Sequence, residues 1–374
     1  MLKRYSSSVE LLPHDVVELI LERLPVKSLL RLRSVSKTWK LTIQTRRFQE
    51  RQLIQYCSQS RDPDILLVHH GDHGPNTDAR RLVFGSSVVY TVCFPTLCNS
   101  VCPSICDGLV CFYNNYVPSV SVVVVNPTTK WHQSLPLARI QQLLVDRITK
   151  RLFCSPYYKL GFGKDKIRGT YKPFFLYNSS EFDLDNVTTC EVFDFGTSIW
   201  RYVHPASPCR INVHLDPVYL DGSLYWFTEC EKTKVLSFDL HTETFQVICK
   251  SPFVHARDDP YSISMCILDN CLCVSENNLT TQEIWSLDSS GSNIKTWNKM
   301  CSIDLTKTLN WFGECTLLAI AFSEKNKLLL RGRGFYQPLV IHDIHTKSYE
   351  LLFETNKYVD FVCYFQSLFS ASSD

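Results

Sequence analysis

The sequence predicts a small all-α module of three helices, residues 1–55, followed by an all-β propeller over residues 60–370, with six blades as the expected count and seven as the alternative. Three observations predict it. Apolar residues recur at helical spacing between Leu12 and Ile43, and little helical periodicity follows. Beyond residue 60, short β-rich runs alternate with turn residues, and a pair of turns repeats at nearly constant separation. The composition, 45% hydrophobic and 20% charged over 374 residues, can fill one small and one large core.

The helical elements come first. Pro13 suits a helix start, and Asp15 and Glu18 place negative charge near the positive end of the helix dipole. Val17, Ile20, Leu21 and Leu24 form one apolar stripe, which Val16 and Leu19 widen. Leu24 precedes Pro25 and is pushed out of the helical region, so the first helix stops there. Val26, Leu29, Leu30 and Arg33 give a second short helix. Ser34 can cap a third, along which Val35, Trp39 and Ile43 are spaced four apart. A unit of about 40 residues cannot bury this much apolar surface alone, so the surplus needs either a partner or the face of the following domain.

The residues here read Leu12-Pro13-x-Asp15, Glu18-x-Ile20-Leu21-x-Arg23-Leu24-Pro25-x-Lys27-Ser28-Leu29 and Arg31-x-Arg33-x-Val35-Ser36-Lys37-x-Trp39. This run resembles the F-box motif, with Ser36 standing where a Cys is common. The resemblance implies docking on the Skp linker subunit of a Skp–cullin–F-box ubiquitin ligase, and through it on cullin and RING subunits. By position it assigns Leu12, Pro13, Ile20, Leu24, Pro25, Leu29 and Leu32 to the linker interface, and Val35 and Trp39 to the core of the module. Skp linkers of this type are acidic. Residues 1–54 carry a net charge of +6 in a chain whose total is +2, which suits electrostatic steering toward such a partner.

The β-region is organised by its turns. An Asp or Asn, a Thr three residues on and then an aromatic recur at Asn126/Thr129/Trp131, Asp194/Thr197/Trp200, Asp239/Thr242/Phe245 and Asp343/Thr346/Tyr349, with a longer variant from Asp288 to Trp297. An Asp or Asn side chain there can bond its own backbone two residues on and close the turn. A second turn lies 18 or 19 residues upstream, at Asp107-Gly108, Asp221-Gly222, Asp269-Asn270 and Lys325-Asn326. Two linked hairpins per unit make one four-stranded blade. Five units are visible, the one near Lys164–Trp200 carrying an insertion; residues 64–94 form a weaker sixth, and residues 358–365 offer a strand to close the ring. The stretches DGLVCFYN, VVVVNPTTKW, LGFGKDK, CEVFDFGTSIWR and VYLDGSLYWF also resemble the plant F-box-associated domain, a relative of kelch-type propellers. That family usually has a Tyr-Lys-Val strand where this chain has Tyr171-Lys172-Pro173, and proline removes a ladder donor, so an edge strand or a break is expected there.

The chemistry-bearing clusters read as structural. Cys93, Cys98, Cys102, Cys106 and Cys111 lack a Cys-x-x-Cys knuckle, and Cys111 falls inside an apolar strand. His69, His70, Asp72 and His73 share a stretch with Gly71, Gly74 and Pro75, the composition of an ordinary turn. Gly161-x-Gly163-Lys164 lacks the spacing and following helix of a phosphate-binding loop. The basic run from Lys27 to Arg51 is spread around helices whose apolar faces are already assigned, so nucleic acid is not expected as a partner. No stretch is long and apolar enough to span a bilayer, no secretory segment leads the chain, and the seventeen cysteines read as reduced, so an intracellular, cytoplasmic or nuclear protein is expected. Arg331 and Arg333 could grip an acidic element of a target, or merely charge a hairpin tip.

The reading is therefore a non-catalytic adaptor without cofactor or metal, whose β-domain binds an unidentified protein for ubiquitination. Two alternatives stand beside it. A kelch-like propeller enzyme of the copper-oxidase kind needs converging Cys, Tyr and His ligands that cannot be placed here. A linker-binding protein acting outside any ligase would share the first module and differ only in its company.

Overall fold

The computed structural model describes residues 12–59, 64–70, 77–82, 90–94, 97–150, 158–230, 232–253, 259–288, 295–323, 326–333, 338–354 and 359–371. Met1–Leu11, Asp72, His73 and Lys325, which entered the sequence reading, lie outside them. The chain opens with α1 (His14–Glu22), α2 (Val26–Leu32), α3 (Lys37–Gln44) and α4 (Arg46–Gln59). Pro13 and Pro25 stand at the N-caps of α1 and α2, and the Pro13 carbonyl accepts from Val16 and Val17. Leu21, Val26, Leu29, Ile43 and Phe48 are buried together, with Leu24, Leu32 and Trp39 packed partly against them.

Three expectations for this module need correction. The fourth helix was not foreseen, because α4 is rich in Arg and Gln and has no sustained apolar stripe. Tertiary contacts hold it instead: Phe48 is fully buried, Arg51 pairs with Glu18 (3.2 Å) and Glu22 (2.9 Å) of α1, and Gln52 donates to the Leu24 carbonyl. Ser36 rather than Ser34 precedes α3, and the Ser34 hydroxyl donates to the Arg31 carbonyl. Val35 consequently sits in a turn, out of helical phase with Trp39, and is 64% exposed; it does not join the core.

The rest is antiparallel sheet. β1 (Asp64–His70), β2 (Thr77–Leu82) and β3 (Tyr90–Phe94) are followed by β4 (Ser100–Val101), β5 (Val110–Tyr113), β6 (Val123–Asn126) and β7 (Trp131–Ser134). After α5 (Arg139–Thr149) come β8 (Lys159–Lys164), β9 (Tyr171–Asn178), β10 (Thr188–Asp194) and β11 (Ile199–Tyr202). The next units are β12 (Val218–Leu220), β13 (Ser223–Phe227), β14 (Lys234–Asp239) and β15 (Thr244–Lys250), then β16 (Ile263–Leu268), β17 (Cys271–Asn277), β18 (Thr281–Asp288) and β19 (Thr296–Asp304). Beyond α6 (Leu309–Phe312) lie β20 (Leu318–Ser323), β21 (Lys327–Arg331), β22 (Leu339–Asp343), β23 (Ser348–Phe353) and β24 (Val359–Tyr364).

Five blades are each built of four consecutive strands, β4–β7, β8–β11, β12–β15, β16–β19 and β20–β23. The expectation of six blades, with seven the alternative, gives way to these five and one composite sheet, ordered β24-β1-β2-β3. The weak N-terminal unit supplies only three strands, and the C-terminal strand completes its sheet by pairing with β1 from Asp64↔Tyr364 to His69↔Val359. This pairing closes the ring and gives β1 a neighbour on both sides, leaving β24 as one edge of the sheet.

The turns behave as their residues dictate. Asp107-Gly108, Asp221-Gly222 and Asp269-Asn270 have positive φ at both positions, the conformation of tight hairpin turns. In the second turn of four of the units the carboxylate or amide oxygen of Asn126, Asp194, Asp239 and Asp343 accepts from the backbone N–H two residues on. The aromatics that follow fasten one blade to the one before. Trp200 donates to the Pro136 carbonyl and Trp297 to the Lys250 carbonyl, each at the end of the preceding blade, while the Tyr349 hydroxyl meets the backbone of Asp304. Gly163 permits the same closeness, since a Cβ there would meet the Tyr219 ring of the next blade at 2.4 Å.

Two further expectations are corrected. β9 is an interior strand with no break: Pro173 is matched to Phe162 of β8, and the ladder with β10 begins one residue later, at Phe174, so the proline stands at the margin of that ladder. The insertion precedes β8 and contains a helix, α5, held by Glu191, whose carboxylate accepts from the Arg139 and Ile140 N–H groups and from Tyr177. No helix among the described residues is long and apolar enough to cross a membrane.

Candidate functional site

The meander of each blade gives the ring two unlike ends. Turns such as β4–β5 and β6–β7 lie at one end; the second-to-third strand loops and the connections between blades lie at the other. The helical module sits on the first end. Arg46 of α4 donates to the Gly169 carbonyl in the β8–β9 turn (3.1 Å) and lies over the Phe369 ring, 4.3 Å from its centroid. Glu50 faces Lys164 at 3.8 Å, and Lys164 pairs with Asp107 at 2.7 Å. Leu53 and Cys57 line a central cavity of about 700 Å³ together with residues of the inner strands β16, β20 and β24, so α4 lies across the channel.

The segment after β24 completes this junction. Leu368 is a member of the helical core, beside Leu21, Leu29 and Phe48, although it is more than 300 residues away in sequence. Gln366 donates to the Tyr56 hydroxyl of α4, and Asn126 donates to the Phe369 carbonyl from the ring side. Gly108 lies under the same segment, where a Cβ would be 2.5 Å from the Phe365 carbonyl oxygen.

The residues assigned to a linker interface separate into three groups. Leu12, Pro13, Ile20 and Pro25 are exposed, at 58% for Leu12 and 47% for Ile20. Leu24 and Leu32 are half-buried against the module's own core. Leu29 is fully buried at the centre of that core and is unavailable to a partner, which corrects its assignment. Val16, Leu19 and Val35 are exposed and belong with the first group. Val16, Leu19 and Ile20 stand at i, i+3 and i+4 and so share one face of α1; the breadth of the apolar stripe was the signal for them.

The opposite end of the ring is uncovered among the described residues. Leu97, Tyr116, Val117, Val187, Leu279 and Leu309 are exposed there, on the loops and connections of several blades. A groove of about 500 Å³ opens at this end, lined by Asp259, Tyr261, Asn277, Leu279, Glu314 and Arg333. Cys98, Cys102, Cys106 and Cys111 are buried, whereas Cys315 is exposed at this groove. Cys102 donates to the Leu160 carbonyl inside the core, and burial pushes its thiol up to about 12. Burial raises Cys106 and Cys111 likewise, and among the described residues no His, Cys, Asp or Glu group is arranged to hold a metal.

Comparison with known proteins agrees with this division. Residues 9–51 match the family model of the F-box domain, and residues 95–371 match that of the F-box associated beta propeller domain. The F-box protein At1g11270 of Arabidopsis thaliana is 59% identical over 78% of this chain and 92% of its own length. The F-box/LRR-repeat/kelch-repeat protein At1g09650 of the same plant is 49% identical over 97% of this chain and 98% of its own. Among solved structures, a nidogen/laminin complex chain aligns with 81% of this chain and 99% of its own at a TM-score of 0.45 and 9% identity.

Proposed function

The chain belongs to the F-box proteins that carry an F-box-associated β-propeller domain, and from that premise we propose that it is the substrate-recognition subunit of a Skp–cullin–F-box ubiquitin ligase. The exposed face of α1, with Leu12, Pro13, Val16, Leu19 and Ile20, takes the acidic Skp-family linker, which brings cullin and RING subunits. The open end of the ring takes the protein target. The chain works inside the cell, in cytoplasm or nucleus, and its contribution is position: fastening the target to the ligase raises its effective concentration at the site of transfer.

One observation carries this reading. Apolar surface is exposed at both extremities of the molecule, and the junction between them is packed, paired and stapled by the C-terminal segment. Two docking surfaces on one stiff body suit an adaptor. The test is purification of the tagged full chain from cells treated with a proteasome inhibitor. Linker and cullin should arrive together, with ubiquitinated target. Linker without cullin would overturn the ligase role in favour of a protein that holds the linker outside a ligase.

A further inference from the structure

The open end holds an arginine whose charge the fold does not match. Arg331 and Arg333 both leave β21 toward this end, but their surroundings differ. Arg331 pairs with Asp360 at 3.3 Å. Arg333 has no carboxylate within ion-pair distance among the described residues; its terminal nitrogens donate to the Tyr261 and Ile263 carbonyls, both at 3.3 Å, and its guanidinium lies over the Tyr261 ring at 5.6 Å. The nearby Asp216 is engaged by Lys159 at 2.9 Å, and Asp259 accepts from the Tyr261 N–H. Arg333 lines both the 700 Å³ channel and the 500 Å³ groove, so it stands where the two meet. Burial lowers its pKa below the ordinary arginine value, an effect the Asp216 charge opposes.

We propose that Arg333 is the anchor of the target-binding face and receives a carboxylate from an acidic peptide segment of the target. A guanidinium fixed by two carbonyls and an aromatic ring is already oriented, so a carboxylate can use its remaining donors without ordering the side chain. The rim selects among anions. Asp259 and Glu314 are exposed at the groove, and a dianionic phosphate would meet their repulsion more strongly than a singly charged carboxylate. Tyr261 and Leu279, 40% and 54% exposed, give an apolar wall for a neighbouring side chain of the peptide. This rests on the reading of the open end as the target face and names the chemistry that face accepts.

The experiment is selection of a phage-displayed random peptide library on the immobilised full chain, repeated on Arg333→Gln and Arg333→Lys. Each variant is first checked for unchanged melting and linker binding. The chain should select peptides with Asp or Glu at one fixed position beside an apolar residue. Arg333→Gln should lose that preference, and Arg333→Lys should keep part of it. In a selected peptide, Glu→Gln should weaken binding at least tenfold, and phosphoserine at that position should also bind more weakly. Absence of selected peptides, an acidic preference that survives Arg333→Gln, a preference for basic residues, or tighter binding of phosphoserine would each overturn the proposal. Linker and cullin take no part in the selection, so its failure leaves the adaptor reading standing, while loss of linker binding would strike that reading alone.

Discussion

The helical module and the ring solve the problem of a small core in opposite ways. Each sheet of the ring packs against its neighbours, and the ring closes on itself through β24 and β1. The module is too small to close its own core and borrows Leu368 from the far end of the chain. A unit that reads as independent in sequence is thus built on the ring, and its orientation toward the open end is set by that junction. The exposed apolar residues of α1 are what remains after this core has been filled.

That comparison can be broken at graded points. Leu29→Ala should have the largest effect, because it empties the centre of the module; a loss of about 2–5 kcal/mol is expected. Thermal melting should show the module unfolding at lower temperature, with linker binding lost as a consequence. Leu368→Ala should act on the same core from the C-terminus, near the lower end of that range since the residue lies at the module's margin. Limited proteolysis should then release residues 12–59 while the ring stays intact; equal resistance to that of the unaltered chain would show the borrowed contact to be dispensable.

Ile20→Asp should separate binding from folding. Burying an isoleucine contributes about 1.5–3 kcal/mol, so linker affinity should fall at least tenfold. The melting temperature should hardly move, because the side chain is exposed in the free chain. The smallest effect concerns pH. Burial lowers the His342 pKa below its ordinary value, and its ring is stacked on Tyr349 at 4.4 Å. The unfolded chain therefore binds this proton more readily than the folded one. Stability from this site is full above the unfolded value of about 6.5 and declines as pH falls below it. His342→Gln should flatten that part of the stability–pH curve.

The ring was legible because its signals are local. An Asp-Gly pair favours the positive φ of a tight hairpin turn, and an Asn or Asp two residues before a free N–H can close a turn through its own side chain. The repetition of these features at fixed separation exposed the blades before any contact was known. The closing strand was legible for a related reason, as an apolar run without a partner in its own unit. What escaped depended on distant residues. α4 is polar along its length and is held by Glu18, Glu22 and ring residues. Pro173 was tolerated because the ladder between β9 and β10 stops at Phe174↔Val192, which the sequence of β9 does not state. Leu29 and Ile20 carry the same apolar signal, and only the packing of α4 and Leu368 decides which is buried. The apolar face of α1 was visible, while the open end of the ring followed from topology and not from any motif.

The central claim is that one end of the molecule engages the linker while the other stays open for the target. Hydrogen exchange of the full chain, measured with and without a Skp-family linker, tests it most directly. Amides at residues 12–20 and around Val35 should gain protection, and those of the loops at 114–121 and 277–280 should be unchanged. Protection of the loops, or none at residues 12–20, would contradict the account.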